Sequence, residues 1–551
     1  MHDAFAFVLH GHLPYARNSG RWPHGEEWVH EAILGTYLPL LVRLFELREA
    51  GVPFRLTLGL TPVLLDQLAD ADINERFDEY ATDQQRRAEE DVRRFADLGE
   101  YALETLAARY LEHFTTLVRH YRRTFARDLV GAFADLVRTR HLEMLTSAAT
   151  HGYLPLLRPA SIRAQLRNGI ASTRRHFGIE PQGIWLPECA YTAGLEAYLE
   201  EAGLTHFIVD AALLEARPAR RAKRVALIAE APQRGWASGH LATATGPSAY
   251  EATTVEADVL VAHLVGSSRV AAIARHPRVS GQVWSAQHGY PGDALYREFH
   301  RKDDVSGLRY WRVTDPRSGL GEKALYDWDA AHERTRTHAG HFVELVRSEL
   351  AEHSSATGRA GLLVAAFDLE LFGHWWFEGV HWLTETLRRF ADGGVGATSV
   401  ADHLRADPPG HGVALRKGSW GKHNDDSTWL NDRTVELWRE LEEAGRAMEE
   451  LVVSLAPSDE LRRRALAQAA RELLIAQASD WEFLITTGQA DAYARERFRT
   501  HLLRFQRAAE IARRGEGEAE LQTLERVDNP FPDVDWAAYQ VRQPLTASLP
   551  R

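Results

Sequence analysis

Short apolar runs alternate with segments of helical periodicity along the first 370 residues. The runs are A-F-A-F-V-L-H (4–10), F-R-L-T-L-G-L (54–60), L-E-M-L-T-S-A (142–148), G-I-W-L-P (183–187), T-H-F-I-V-D (205–210), Q-V-W-S-A (282–286) and L-L-V-A-A-F-D (362–368). Between them, 34–50, 160–177 and 192–202 place apolar residues at the spacing of one helix face. Strand followed by helix, repeated, predicts an α/β fold with a parallel sheet. Seven strands predict a closed or nearly closed (β/α)7 barrel, one unit short of the standard eight. An open doubly wound sheet is the alternative, and no Gly-rich dinucleotide or phosphate loop supports it.

Two stretches break the rhythm. Residues 71–140 are charged and helical throughout and are far longer than an ordinary crossover. They predict a helical subdomain inserted in a catalytic barrel of residues 1–410. Within 211–281, a basic run from Arg217 to Arg224 precedes a cluster of Gly, Ser, Thr and Pro, and 225–270 is expected to be a mobile loop region over the active site. From about 432 onward the pattern is helical again. It predicts a C-terminal helical domain over 411–551 that contributes to the substrate groove, with the tail 528–536 lying against the body.

Composition narrows the partners. A net charge of −12 argues against nucleic acid. No apolar run is long enough to span a bilayer, and no signal peptide is seen, so a cytoplasmic protein without a membrane partner is expected. The single cysteine, Cys189, cannot form an intramolecular disulfide. It is expected to be a small buried side chain. The 15 tryptophans suit stacking on the apolar faces of sugar rings as well as core packing.

In parallel barrels chemistry gathers at the C-terminal ends of strands. His10, His12, Thr61, His151, Glu188, Asp210, Gln287 and Asp368 all fall there. Glu188 and Asp368 stand out, because each acid follows an apolar run and each has tryptophans nearby: Trp185 for the first, Trp375 and Trp376 for the second. An acid in such a place is costly to desolvate unless it has a task. A pair of them suits glycoside chemistry. If one is nucleophile and the other acid/base, their carboxyls should lie about 5–5.5 Å apart and configuration should be retained. A satisfied structural acid is the bland alternative for each.

His10 and His12 alternate on the first strand and so face the same way. Zinc would need further ligands, with His151, Asp210 and His288 as candidates. Hydrogen bonding to sugar hydroxyls is the preferred reading, with no metal. W-G-K-H-N-D-D-S-T-W (420–429) offers Trp420 and Trp429 as stacking platforms, and S-D-W (479–481) could return Asp480 to the cleft.

At these residues the chain resembles glycoside hydrolase family 57, and within it the 1,4-α-glucan branching enzymes. The resemblance runs through H-G-H-L-P-Y (10–15), L-G-L-T-P (58–62) with H-G-Y-L-P (151–155), W-L-P-E-C-A-Y (185–191), A-A-F-D-L-E-L-F-G-H-W-W (365–376) and W-G-K-H-N-D-D-S-T-W (420–429), supported by 282–293 and 479–481. It implies a (β/α)7 barrel with inserted and C-terminal helical domains. It implies Glu188 as nucleophile, Asp368 as acid/base, and no metal or other cofactor. It further implies a glucan groove lined by Arg275, Trp284, Gly292, Trp420, Trp429 and Asp480, with Trp28 at its entrance. His10, His12, His151 and Trp375 complete the expected substrate contacts. The expected substrate is an α-1,4-glucan such as amylose or a glycogen-like polymer, handled by a monomer or homodimer. The expected reaction transfers a cleaved chain to a 6-hydroxyl, forming an α-1,6 branch. A 4-α-glucanotransferase or α-amylase on the same scaffold is the alternative, with a metal-dependent deacetylase or mannosidase behind it. The family's water-excluding loop carries an aromatic tip. Region 225–270 departs from that pattern, and Trp236 and Tyr250 are the candidates for the tip.

Overall fold

The computed structural model describes residues 2–20, 24–214, 257–285, 288–315, 317–393, 395–455 and 459–540. Residues 225–256, with Trp236 and Tyr250, lie outside them, as does Gln287. Ten strands occur among the described residues: β1 (Ala4–Gly11), β2 (Leu56–Leu60), β3 (Leu142–Ser147), β4 (Gly183–Trp185), β5 (His206–Asp210), β6 (His263–Val265), β7 (Ala271–Arg275), β8 (Leu362–Asp368), β9 (Gly396–Ala397) and β10 (Gly412–Val413). The chain divides into two compact units. One comprises Met1–Leu60, Leu64–Met144 and His276–Asp407; the other comprises Thr61–Val63, Leu145–Arg275 and Pro408–Arg551.

In the first unit β1 is flanked by β2 and β8, both parallel, and the short β9 also pairs with it. The register sets His10 beside Asp368. β1 is buried almost end to end, as a strand covered on both faces must be. Its aromatics make the core. Phe5 stacks on Phe390 at 4.5 Å, and Phe7 lies parallel to Phe342 at 5.6 Å. Phe342 comes from the helix Trp328–Thr357 and Phe390 from the helix Gly379–Ala391. Each such ring contributes about 1.5–3 kcal/mol by leaving water. The charged stretch 71–140 forms the helices Ala71–Leu98, Tyr101–Arg119 and Leu129–Arg138. Asp70 caps the first through the Ile73 N–H, and Gly99 ends it at φ 72°.

In the second unit the strand order is β10-β6-β7-β5-β4-β3. β4, β5 and β7 run parallel, while β6 is antiparallel to β7. One strand expectation is corrected here. Residues 282–286 do not form a strand, because Pro277–Trp284 is a helix. His276 caps that helix by accepting the Val279 N–H, and Pro277 takes the first helical position. The strand that fills the place is β7, eleven residues earlier and made largely of alanine. The C-terminal helices are Val435–Ser454, Glu460–Ala476, Asp480–Thr487, Asp491–Arg514 and Glu518–Val527. The tail returns to the helix Pro159–Phe177, where the Asp535 N–H donates to Asn168 Oδ1 at 2.7 Å.

Candidate active site

In the second unit the chain leaves β4 through Pro187, and Glu188 and Cys189 both adopt left-handed backbone, φ 60° and 47°. Neither residue type favours that region, so tertiary contacts must hold it. Those contacts are present. The Glu188 carbonyl accepts the Trp420 N–H at 3.0 Å, and Tyr191 and Gly418 exchange both backbone bonds at 2.8 and 3.0 Å. Cys189 is fully buried.

The Glu188 side chain is held at both oxygens. Trp420 Nε1 donates to Oε2 at 2.9 Å, and Ser479 Oγ donates to Oε1 at 3.0 Å. His151 Nδ1 stands 3.1 Å from Ser479 Oγ and 3.7 Å from Glu188 Oε1. His151 is itself left-handed at φ 61°. Trp420 is fixed in turn. Trp185 meets it edge-on at 5.2 Å, and the Arg275 guanidinium lies 5.4 Å from its ring. Arg275 forks onto Asp210 at 2.8 and 2.6 Å across the β5–β7 register. Asp210 is thereby committed to a guanidinium, which removes it as a zinc ligand.

Asp480 is half-buried at the start of its helix. The residue that reaches Glu188 from S-D-W is its neighbour Ser479. A serine beside an acid carries no periodic signal, so the sequence hid it. Trp429 corrects another expectation. It is 1% exposed and stacks on Tyr153 at 4.6 Å, so it offers no open face to a sugar. Tyr153 donates to Asp426 Oδ1 at 2.7 Å, and Lys417 pairs with Asp426 Oδ2 at 2.5 Å. Glu472, His501 and Asp528 are wholly buried, with ligand-type atoms within 4.8 Å of one another. His501 Nδ1 lies 2.7 Å from Glu472 Oε2, burial holds the imidazole well below and the carboxyl well above their usual ranges, and Arg504 pairs with Asp528.

In the first unit Asp368 ends β8 beside His10. His10 is buried, and burial, followed by the neighbouring His12, holds its imidazole well below the usual range, hence neutral. His12 falls one residue past the end of β1, and its ring still lies nearly parallel to that of His10 at 6.1 Å, as continued alternation predicts. Glu370, two residues after Asp368, accepts the His12 backbone N–H at 3.1 Å and the Tyr37 hydroxyl. Burial pushes its carboxyl up to about 7. The loop ends at Trp375, which is 55% exposed and backed by Phe299 at 4.6 Å. Trp376, its neighbour, is buried against Tyr296 and Trp382. Trp284 is 51% exposed at the end of its helix. Trp28 is half-buried beside His24, and Gly292 is exposed.

Parallel strands that present acids and histidines at their C-terminal ends, with Trp375 open in the loop after β8, are the arrangement of an enzyme of the β/α barrel class, and open aromatic faces suit a carbohydrate. The chain belongs to glycosyl hydrolase family 57. Residues 6–251 match that family's model, and residues 440–539 match the model of the 1,4-alpha-glucan branching enzyme C-terminal domain. A 1,4-alpha-glucan branching enzyme of Thermococcus kodakarensis is 41% identical over 99% of this chain and 79% of its own length. The crystal structure of that archaeal enzyme superposes with a TM-score of 0.88, covering 99% of this chain and 98% of the other. The branching enzyme from Pyrococcus horikoshii gives 0.86 at 36% identity, over 99% and 98%. The α-amylase AmyC from Thermotoga maritima gives 0.82 at 29% identity, over 98% and 100%. The fold is accordingly the (β/α)7 type with a helical C-terminal region.

Proposed function

We propose that the chain is a retaining 1,4-α-glucan branching enzyme. Glu188 attacks the anomeric carbon of an α-1,4 linkage. The bond from that carbon to the leaving oxygen breaks as Asp368 delivers a proton to the oxygen. The product of this step is a glycosyl ester on Glu188. Asp368, now a base, takes the proton of an acceptor 6-hydroxyl, whose oxygen displaces Glu188 and closes an α-1,6 branch. Two carboxylates suffice for these steps, so neither a metal nor another cofactor enters the mechanism.

The observation that carries the reading is the fixed Glu188 carboxylate. A nucleophile held at both oxygens by Trp420 and Ser479 loses little freedom on reaching the transition state. Trp375 and Trp284 supply open aromatic faces for glucan, with Trp28, Gly292, Arg275 and Asp480 as further contacts. His10, His12 and His151 serve as hydrogen-bonding groups. Trp429 supports the site from behind Tyr153. Transfer is favoured over hydrolysis by the relatives described above and by the match of residues 440–539. The likeness to AmyC keeps α-amylase as the second reading.

Proton NMR of amylose incubated with the purified protein separates the two. The expected outcome is growth of α-1,6 anomeric signals with few new reducing ends. Reducing ends without α-1,6 signals would make the protein a hydrolase.

A further inference from the structure

The loop after β8 is clamped to one turn of the first long helical segment. That segment loosens into a π-helical turn at Ile33–Tyr37, a device that often marks functional sites. Three contacts join the turn to the loop. Tyr37 donates its hydroxyl to Glu370, and Thr36 Oγ1 accepts the His374 N–H at 3.1 Å. Gly35 meets Gly373 so closely that a Cβ on Gly373 would lie 1.9 Å from the Gly35 carbonyl oxygen. Gly373 also has φ 104°, so only glycine fits there.

Glu370 adds the exit of β1 to the clamp through the His12 N–H. Gly11 leaves room for it, since a Cβ there would fall 2.7 Å from Leu60 Cδ2 and 3.4 Å from Glu370 Oε1. The Trp375 N–H donates to the Glu370 carbonyl at 3.2 Å. One residue thus ties together β1, the π-helical turn and the loop that runs from Asp368 to Trp375.

We infer that Glu370 is a positioning residue, which fixes His12 and the Asp368 loop for proton transfer. The inference rests on Asp368 being the acid/base. The titratable groups that act on the Glu370 carboxyl are Tyr37 in the π-helical turn and His12 just past the end of β1. Burial lifts the Glu370 carboxyl to about 7, opposed first by the Tyr37 hydrogen bond and then by His12. As pH climbs through this value Glu370 gains charge, and its bonds from Tyr37 and His12 become charge-assisted and stronger. The clamp therefore tightens toward higher pH.

The test compares E370Q, E370A and Y37F on amylose across pH 5–9, with D368N as reference. Glutamine keeps the acceptor oxygen and removes the ionisation. Wild-type kcat should climb through an inflection near 7 that E370Q lacks, with KM unchanged. E370A should lose about 10²-fold in kcat, the scale of a displaced catalytic group, and Y37F less. Wild-type kcat and pH profile in E370Q and Y37F would overturn the inference, whatever their melting temperatures and whether or not E370A folds. A fully active D368N would instead overturn the acid/base assignment, so the two failures are distinguishable.

Discussion

After β4 the backbone turns left-handed at Glu188 and Cys189, on residues that disfavour it. After β8 Asp368 keeps a relaxed extended conformation, φ −63° and ψ 132°, and the left-handed position falls on Gly373. Strained backbone costs about 1–3 kcal/mol per residue and survives only where its surroundings over-determine it. Around Glu188 the Trp420 and Tyr191–Gly418 bonds do this, so the carboxylate is aimed by the main chain as well as by its own partners. Asp368 has no such strain behind it, and the Glu370 clamp supplies rigidity from the side. A nucleophile must hit one carbon along one line, whereas a group that gives and then takes a proton needs less exact aim. The two turns suit the roles proposed for them, Glu188 as nucleophile and Asp368 as acid/base.

The sharpest way to break this comparison is to remove each carboxylate in turn and vary the leaving group. D368N should lower kcat on amylose by about 10²–10⁴-fold, the usual worth of general acid–base catalysis. With an α-maltosyl fluoride donor, whose leaving group needs no proton, D368N should recover much of the glycosylation step. E188Q should stay inactive with both donors. Equal rescue of both variants by the fluoride would mean that the roles are not divided as described.

The fold and the proposed site were only partly legible in the chain. Glu188 and Asp368 announce themselves as acids after apolar runs, and six of the seven expected strands form where periodicity places them. The seventh failed because Q-V-W-S-A looks more strand-like than the alanine-rich β7, although Pro277 after His276 is a helix start. Ser479, Tyr37 and Glu370 could not be found from pattern. Their roles depend on partners 291, 333 and 358 residues away, and no local spacing encodes that. The fate of Trp429 was equally hidden, because an aromatic in a polar stretch reads the same whether it is sealed or open.

Smaller effects test how far the fixed carboxylate depends on its donors. W420F removes the Nε1–H from Glu188 and keeps a ring against Trp185 and Arg275. A hydrogen bond to a charged group is worth about 1.5–3 kcal/mol, so kcat/KM should fall about 10- to 150-fold. S479A should cost less, about 10-fold, because His151 already stands 3.7 Å from the same oxygen. Steady-state kinetics on amylose measures both. If S479A proves the more harmful, the indole donor is not what aims Glu188.

The smallest activity effect should come from an open tryptophan, and it separates the two units' aromatics by kind. W375A removes one exposed face resting on Phe299, so KM for amylose should rise about 2- to 10-fold, the worth of one aromatic contact. Its melting temperature should hardly move, because little apolar surface was buried there. W429A empties a sealed site between Tyr153 and the backbone, and should destabilise the protein by about 3–5 kcal/mol. At temperatures where W429A remains folded, its KM should stay near wild type. Thermal denaturation alongside kinetics reads both quantities. A raised KM in W429A without loss of stability would restore that residue to the glucan groove, and would mean that its contact with Tyr153 opens when glucan binds.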